Sequence, residues 1–198
     1  MADEKRPYRK KRRAELEAQT QLRITESAVA LHGTLGPSRT SMSAIAERAG
    51  VRRSTLYRHF PDEAAVFDAG SAHWREANPA PDLGAWAAID DPDRRLRAAL
   101  EELYAYYGRT EGMLVNLYRD AELMPIVQQR FSNFGNYLTA ARQTLMGGRR
   151  LRGKARDRVE AATGHALAFA TWRSLTRDQG LDDTAVAELM CRLVAAAG

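Results

Sequence analysis

The chain predicts an all-α fold, and three observations carry that reading. Apolar residues recur three and four apart through most of its 198 residues, the spacing of one helical face. No sustained alternation of β-branched residues appears, and no Asn-Gly pair marks a hairpin. The remaining punctuation is glycine and proline at intervals that suit helix ends, as in Gly36-Pro37, Gly147-Gly148 and Gly180.

Taken in order, a first helix is expected over about 15–33, with Leu16, Ile24, Ala28, Leu31 and Leu35 near one face. Gly33, Gly36 and Pro37 end it. Ser41 is the N-cap of a short second helix reaching about Ala49. Gly50-Val51 turns the chain, and a third helix follows from about Arg53 to His59. Phe60-Pro61-Asp62 opens a fourth, to about Glu76, because proline is tolerated in a first turn. ANPAPDLG, 77–84, reads as a loop. Helices are then expected from Asp91-Pro92-Asp93 to about Gly108, from Gly112 to Leu123, and from Pro125 to Gly147-Gly148. Two long ones close the chain, at about 154–178 and 182–197.

Composition narrows the class. The chain is 44% hydrophobic and 28% charged, with no low-complexity tract and no apolar run long enough to span a membrane. Cys191 is the only cysteine, so no intrachain disulfide forms, and a reducing, cytoplasmic setting is expected. The basic N-terminus lacks the apolar stretch of a secretory signal. The net charge of +5 resides entirely in residues 1–13, where seven lysines and arginines face only Asp3 and Glu4. This segment, 1–14, is expected to be a disordered basic arm: either a solvated tail or a seeker of phosphates on nucleic acid or an anionic membrane.

Residues 41–60 carry the chemistry. Leu56 and Phe60 are four apart and face inward together, Ala46 and Ala49 let two short helices cross closely, and Gly50 makes the turn. A short helix, a glycine turn and a second short helix form a helix-turn-helix. With Leu56 and Phe60 buried, Arg53, Ser54, Tyr57 and Arg58 must point outward, with Thr55 alongside. That face combines bidentate donors, hydroxyls and a phenol, the chemistry that reads base edges and grips phosphates. Residues 39–60 hold five arginines against Glu47 alone, a bias that a merely solvated face would not show.

The stretch SMSAIAERAGVRRSTLYRHFPDEAAVF resembles the N-terminal domain of the TetR family of transcriptional regulators over about residues 20–70. TWRSLTRDQGLDDTAVAELMCRLV more weakly resembles the end of such chains. The resemblance implies a helix-turn-helix DNA-binding domain, 15–61, and a larger helical domain, 62–198, that dimerises and binds a small-molecule effector. It implies that Tyr57 and His59 contact phosphates and that Arg53, Ser54 and Thr55 lie at the DNA-reading end of the third helix. Ser41 would offer its hydroxyl and backbone N–H to a phosphate. Two positions depart from the family pattern. Arg52 replaces the usual capping Ser or Thr, gaining a cation, and Asp62-Glu63 stands where a lysine commonly opens the fourth helix.

Other signals are weaker. GRRLRGKA, 148–155, has the spacing of a phosphate-binding loop but ends in Ala155 where Mg²⁺ would need a hydroxyl, and a helix precedes it. His32, His59, His73 and His165 are scattered, which argues against a metal site, and no nucleophile motif supports an enzyme. No cofactor is expected. In the second half, Trp74, Tyr104, Tyr107, Met113, Asn116, Phe134, Tyr137, His165 and Phe169 are either core or the lining of an effector pocket. Val186, Leu189, Met190, Leu193 and Val194 form an apolar stripe suited to dimer packing. The expected function is a homodimeric repressor that a small molecule releases from a palindromic operator in double-stranded DNA. The alternatives are an activator and a non-specific architectural binder.

Overall fold

In the computed structural model, the backbone is described for residues 5–198 and the side chains for all of these except residues 5–7 and Arg9. No strand occurs among the described residues. Ten α-helices do: α1 (Lys5–Thr34), α2 (Met42–Arg48), α3 (Arg53–His59), α4 (Glu63–Ala77), α5 (Leu83–Ala87), α6 (Pro92–Ala121), α7 (Pro125–Met146), α8 (Gly153–Leu167), α9 (Phe169–Arg173) and α10 (Asp183–Ala196). They form two compact units. One comprises the chain up to Pro79 together with Gly112–Gln128, the other Ala80–Glu111 with Gln129–Gly198. Helix α4, expected to open the second domain, thus belongs to the first unit.

Helix α1 begins at Lys5, well before the expected start near 15. The basic segment is made of good helix formers, Arg, Lys, Ala, Glu and Leu, and Arg13 Nε pairs with Glu17 one turn on, at 3.0 Å. Propensity and continuity with the packed part of α1 extend the helix where no burying face exists. Residues 1–4, and the side chains of Lys5, Arg6, Pro7 and Arg9, lie outside the described residues. Leu16 and Leu35, expected on the inner face of α1, are exposed; Ile24 and Ala28 are buried.

In the first unit, Ile24 and Ala28 of α1 pack with Met42, Ile45, Ala46 and Ala49 of the second helix and its cap, with Leu56 and Phe60, and with Val66 of α4. The exit of α1 is held by the last turns of α6. Asn116 Nδ2 donates to the carbonyls of His32 and Gly33 at 3.0 and 2.9 Å, taking acceptors that a helix end leaves unpaired. Arg119 Nη2 donates to the Leu35 carbonyl at 2.8 Å. Asp120, fully buried, accepts from the Ser38 amide at 2.9 Å and from Arg119 Nε at 2.7 Å. Burial pushes the Asp120 carboxyl up, but the hydrogen bonds from Arg119 and Ser38 outweigh it and hold the group below the ordinary carboxylate range. Gly36 passes beneath this pair at φ 94°, where an added Cβ would lie 2.5 Å from Asp120 Oδ2.

A break in α6 between Gly108 and Gly112 was expected, yet the helix is continuous. Gly112 is not a terminator. A Cβ there would stand 3.4 Å from the Gly33 carbonyl oxygen, so the missing side chain lets α6 lie close to the end of α1.

In the second unit, Arg95 is buried and donates to four carbonyls without a carboxylate partner: those of Ile89, Asp90, Thr144 and Gly147. It closes the C-terminal end of α7 onto the start of α6. The segment 77–84, read as a loop, yields at its end to α5. Asp82 caps this helix through the Gly84 amide at 2.8 Å, and Trp86 anchors it with Nε1 donating to Glu102 at 2.8 Å. The single helix expected over 154–178 is interrupted at Ala168, which is extended at φ −72°, ψ 129°. The carbonyls of Ala166 and Leu167 beside the break accept from the buried hydroxyls of Tyr104 and Tyr107, at 2.8 and 2.6 Å. Those tyrosines stand far away in sequence, so the break could not be foreseen locally. A π-helical turn, Ser174–Asp178, ends the segment.

Two outcomes test the anchor of α1. Asn116→Ala strands two carbonyls and should lower unfolding free energy by about 1–3 kcal/mol in urea denaturation. His32, against Phe67 with ring centroids 5.6 Å apart, is held neutral by burial, its pKa lowered from 6.5 to about 4 despite the nearby Asp120. The unfolded chain therefore takes up that proton first, and stability should be complete above about pH 6.5 and fall as pH drops towards 4. In His32→Leu, the urea midpoint should lose its pH dependence in that window.

Candidate nucleic-acid interface

The interface is built from α2, the turn and α3. Ser41, extended at φ −100°, ψ 155°, caps α2, its Oγ accepting from the Ala44 amide at 3.1 Å. At the other end the Val51 amide donates to the Ala46 carbonyl and the Gly50 amide to that of Glu47, both at 3.0 Å. This is the Schellman arrangement, with Gly50 at φ 64° in the left-handed position that glycine takes without a steric penalty. It satisfies the end of α2 and redirects the chain into α3 within two residues.

Helix α3 starts without side-chain capping, because Arg52 occupies the N-cap position. Its carbonyl accepts from the Thr55 and Leu56 amides at 2.8 and 3.1 Å, but the first amides of the helix lack the hydroxyl acceptor that a Ser or Thr would supply. Leu56 and Phe60 enter the core, at 0% and 3% exposure. That burial sets the rotation of the helix. Arg52, Arg53, Ser54, Tyr57 and Arg58 are consequently exposed, with Thr55 and His59 half-buried beside them.

The outward face has internal order. Arg53 Nη2 donates to the Tyr57 hydroxyl at 3.3 Å, and the guanidinium carbon lies 5.4 Å from the Tyr57 ring centroid. The tyrosine thus steadies an arginine whose remaining N–H groups are available for bidentate contact. His59 contributes a different feature: its Nε2 is buried and has no hydrogen-bond partner. Asp62, standing where a lysine would be usual, caps α4 by accepting from the Ala65 amide at 2.8 Å. Arg39 and Arg48 are exposed as well, and Glu47 is the one acidic residue among 39–60.

The nine residues proposed for an effector are divided between the units. Trp74, Met113 and Asn116 fall in the first; Tyr104, Tyr107, Phe134, Tyr137, His165 and Phe169 fall in the second. Several have their polar groups engaged by backbone. Asn116 holds α1, Tyr104 and Tyr107 hold the break at Ala168, and Tyr137 donates to the Pro81 carbonyl at 3.0 Å. Within the second unit the rings form a continuous cluster: Tyr107 meets Phe169 edge-on at 5.2 Å, and Phe134 stacks on Tyr137 at 5.8 Å. His165 is exposed, its Nδ1 3.2 Å from Thr171 Oγ1. Sequence reasoning missed Arg119 and Asp120, which position the segment leading into α2. No local pattern marks them, since their partners lie some eighty residues earlier.

A cationic helix presented by a glycine-turned partner defines a helix-turn-helix nucleic-acid-binding module. Residues 24–69 match the profile of the bacterial regulatory proteins of the tetR family. No curated protein is similar enough in sequence to count as a match. Among solved structures, a TetR-like transcriptional regulator from Rhodococcus sp. RHA1 is similar at 22% identity and a TM-score of 0.63, over 90% of this chain and 96% of that one. NalD, the secondary repressor of the MexAB-OprM multidrug efflux pump in Pseudomonas aeruginosa, aligns at 19% identity and a TM-score of 0.59, over 92% and 97%. PfmR, a TetR-family transcriptional regulator from Thermus thermophilus, aligns at 17% and 0.58, over 86% and 96%. Residues 24–69 thus match the tetR-family regulatory profile, and the chain shares the fold of these solved regulators.

The uncapped start of α3 has a measurable consequence. Arg52→Ser should restore the cap and raise stability by about 0.5–2 kcal/mol in thermal or urea unfolding, while removing one cation from the exposed face of α3.

Proposed function

We propose that the protein is a homodimeric one-component repressor whose two α3 helices enter successive major grooves of a palindromic operator. The observation that carries this reading is the rotation of α3: Leu56 and Phe60 are buried, and Arg53, Ser54, Tyr57 and Arg58 are exposed on the opposite side. Arg53, steadied by Tyr57, is the candidate for bidentate recognition of a guanine. Ser41, Arg52, Tyr57, Arg58 and His59 are assigned to phosphates and to the groove edges, with Ser54 and Thr55 near the bases.

Dimerisation is assigned to α10. Val186, Met190 and Val194 turn inward within the second unit, leaving Leu189 and Leu193 exposed at 42% and 41%. A dimer would set two α3 helices about 34 Å apart, one turn of duplex, which is why the operator should be palindromic. The effector is assigned to the aromatic cluster of the second unit, around Phe134, Tyr137 and Phe169. It can release DNA only by binding more tightly to one spacing of the two modules than to the other.

The test is a footprint beside the gene. The purified protein should protect an inverted repeat, and Arg53→Ala should weaken binding there by about 1–3 kcal/mol while relaxing preference at the contacted base. An equal weakening on unrelated duplexes would reduce Arg53 to a backbone contact. Protection without sequence preference would favour an architectural binder.

A further inference from the structure

The opening half of α1 has no core to face. Every described side chain from Tyr8 to Arg23 is exposed except Thr20, which is half-buried, and Ile24 is the first buried residue. From Lys5 to Arg23 the helix therefore runs on the order of 28 Å beyond its packed part, at about 1.5 Å per residue. Its tip holds Lys5, Arg6, Arg9, Lys10, Lys11, Arg12 and Arg13, and the rest of the chain beyond residue 13 sums to zero charge.

Two features of this tip select its partner. Positions 10–13 are consecutive, so their side chains encircle the helix axis instead of forming one stripe. Tyr8 is the only large apolar residue among 5–13, which leaves no face to lay on a membrane or into a partner helix's groove. Secondly, most of the described cations have no acidic partner. Arg6 with Lys10 and Arg9 with Arg13 are like charges at i,i+4, a repulsive spacing. Among the described residues, Arg13 pairs with Glu17, and Lys10, Lys11 and Arg12 have no acidic partner.

A cation-girdled rod is complementary to a polyanion that presents charge on two walls. We infer that the N-terminal part of α1 is a second, sequence-independent DNA-binding surface that grips phosphates of the same duplex that α3 reads. The inference rests on the DNA-reading function proposed above, and the tip belongs to the same compact unit as α3. Phosphates replace the repulsions along the helix with attractions and release condensed counterions. The contribution is therefore to affinity and to its salt dependence, and not to base preference.

The experiment measures binding of the full chain to a fluorescent mixed-sequence duplex by anisotropy across a range of salt concentrations. The parent is compared with the combined variant Lys10→Gln, Lys11→Gln, Arg12→Gln, Arg13→Gln, all exposed positions whose change leaves the core intact. The slope of log K against log salt should shrink by about 0.9 for each phosphate no longer gripped, and so by about 2 or more for the combined variant. Arg53→Ala should change it by no more than about one phosphate's share. An unchanged slope in a variant that still binds overturns the inference. So does an unchanged slope accompanied by loss of co-sedimentation with phosphatidylserine vesicles, which would assign the tip to membranes. A parent that binds no duplex at any salt overturns the DNA-reading function as well, a result distinct from the other two.

Discussion

The carboxylate of Asp120 is the constraint on which the first unit depends. It is fully buried, and it joins three things: the Ser38 amide that begins the approach to α2, the guanidinium of Arg119, and through that the carbonyl of Leu35. With Asn116 on the carbonyls of His32 and Gly33, one turn of α6 satisfies the end of α1 and the start of the following turn. The desolvation of that carboxylate is offset because every partner is a donor. Gly36 is the steric counterpart, since no larger residue could pass beneath the ion pair in its left-handed conformation.

From this anchor the geometry of the helix-turn-helix follows in short steps. The 34–38 segment delivers the chain to Ser41, which caps α2; Gly50 closes α2 and opens the path to α3; Leu56 and Phe60 choose which side of α3 is hidden. From Ser41 onward each step uses a local rule, capping, a left-handed glycine or four-residue spacing, and each was readable in 41–60. The outward set of Arg53, Ser54, Tyr57 and Arg58 is what remains once those rules have acted. The pairing of Arg53 with Tyr57 adds order to a face that exposure alone would leave mobile.

The second unit obeys another logic, in which polar side chains secure irregular backbone. Arg95 gathers four carbonyls, and Tyr104 and Tyr107 hold the two carbonyls beside the break at Ala168. Buried polar groups find partners, and here the partners are main-chain atoms. An aromatic with a hydroxyl therefore looks, in sequence, alike whether it lines a ligand site or supports a broken helix. Burial lifts the Tyr104 hydroxyl well above its ordinary range, keeping it a neutral donor, as its bond to the Ala166 carbonyl requires.

The amino-acid sequence by itself determined the all-helical fold, the helix-turn-helix between Ser41 and Phe60, the charge of the N-terminal segment and the capping defect at Arg52. These rest on periodicity, turn chemistry and residue type, whose causes lie within a few residues. Tertiary structure decided the continuity of α6 through Gly108 and Gly112, the break at Ala168, and the roles of Asn116, Arg119 and Asp120. Each of those depends on a partner some sixty to eighty residues away: a close backbone approach at Gly112, and elsewhere a buried polar atom. A buried polar atom must be satisfied by whatever the fold brings within about 3 Å of it, and no local pattern announces which residue that will be.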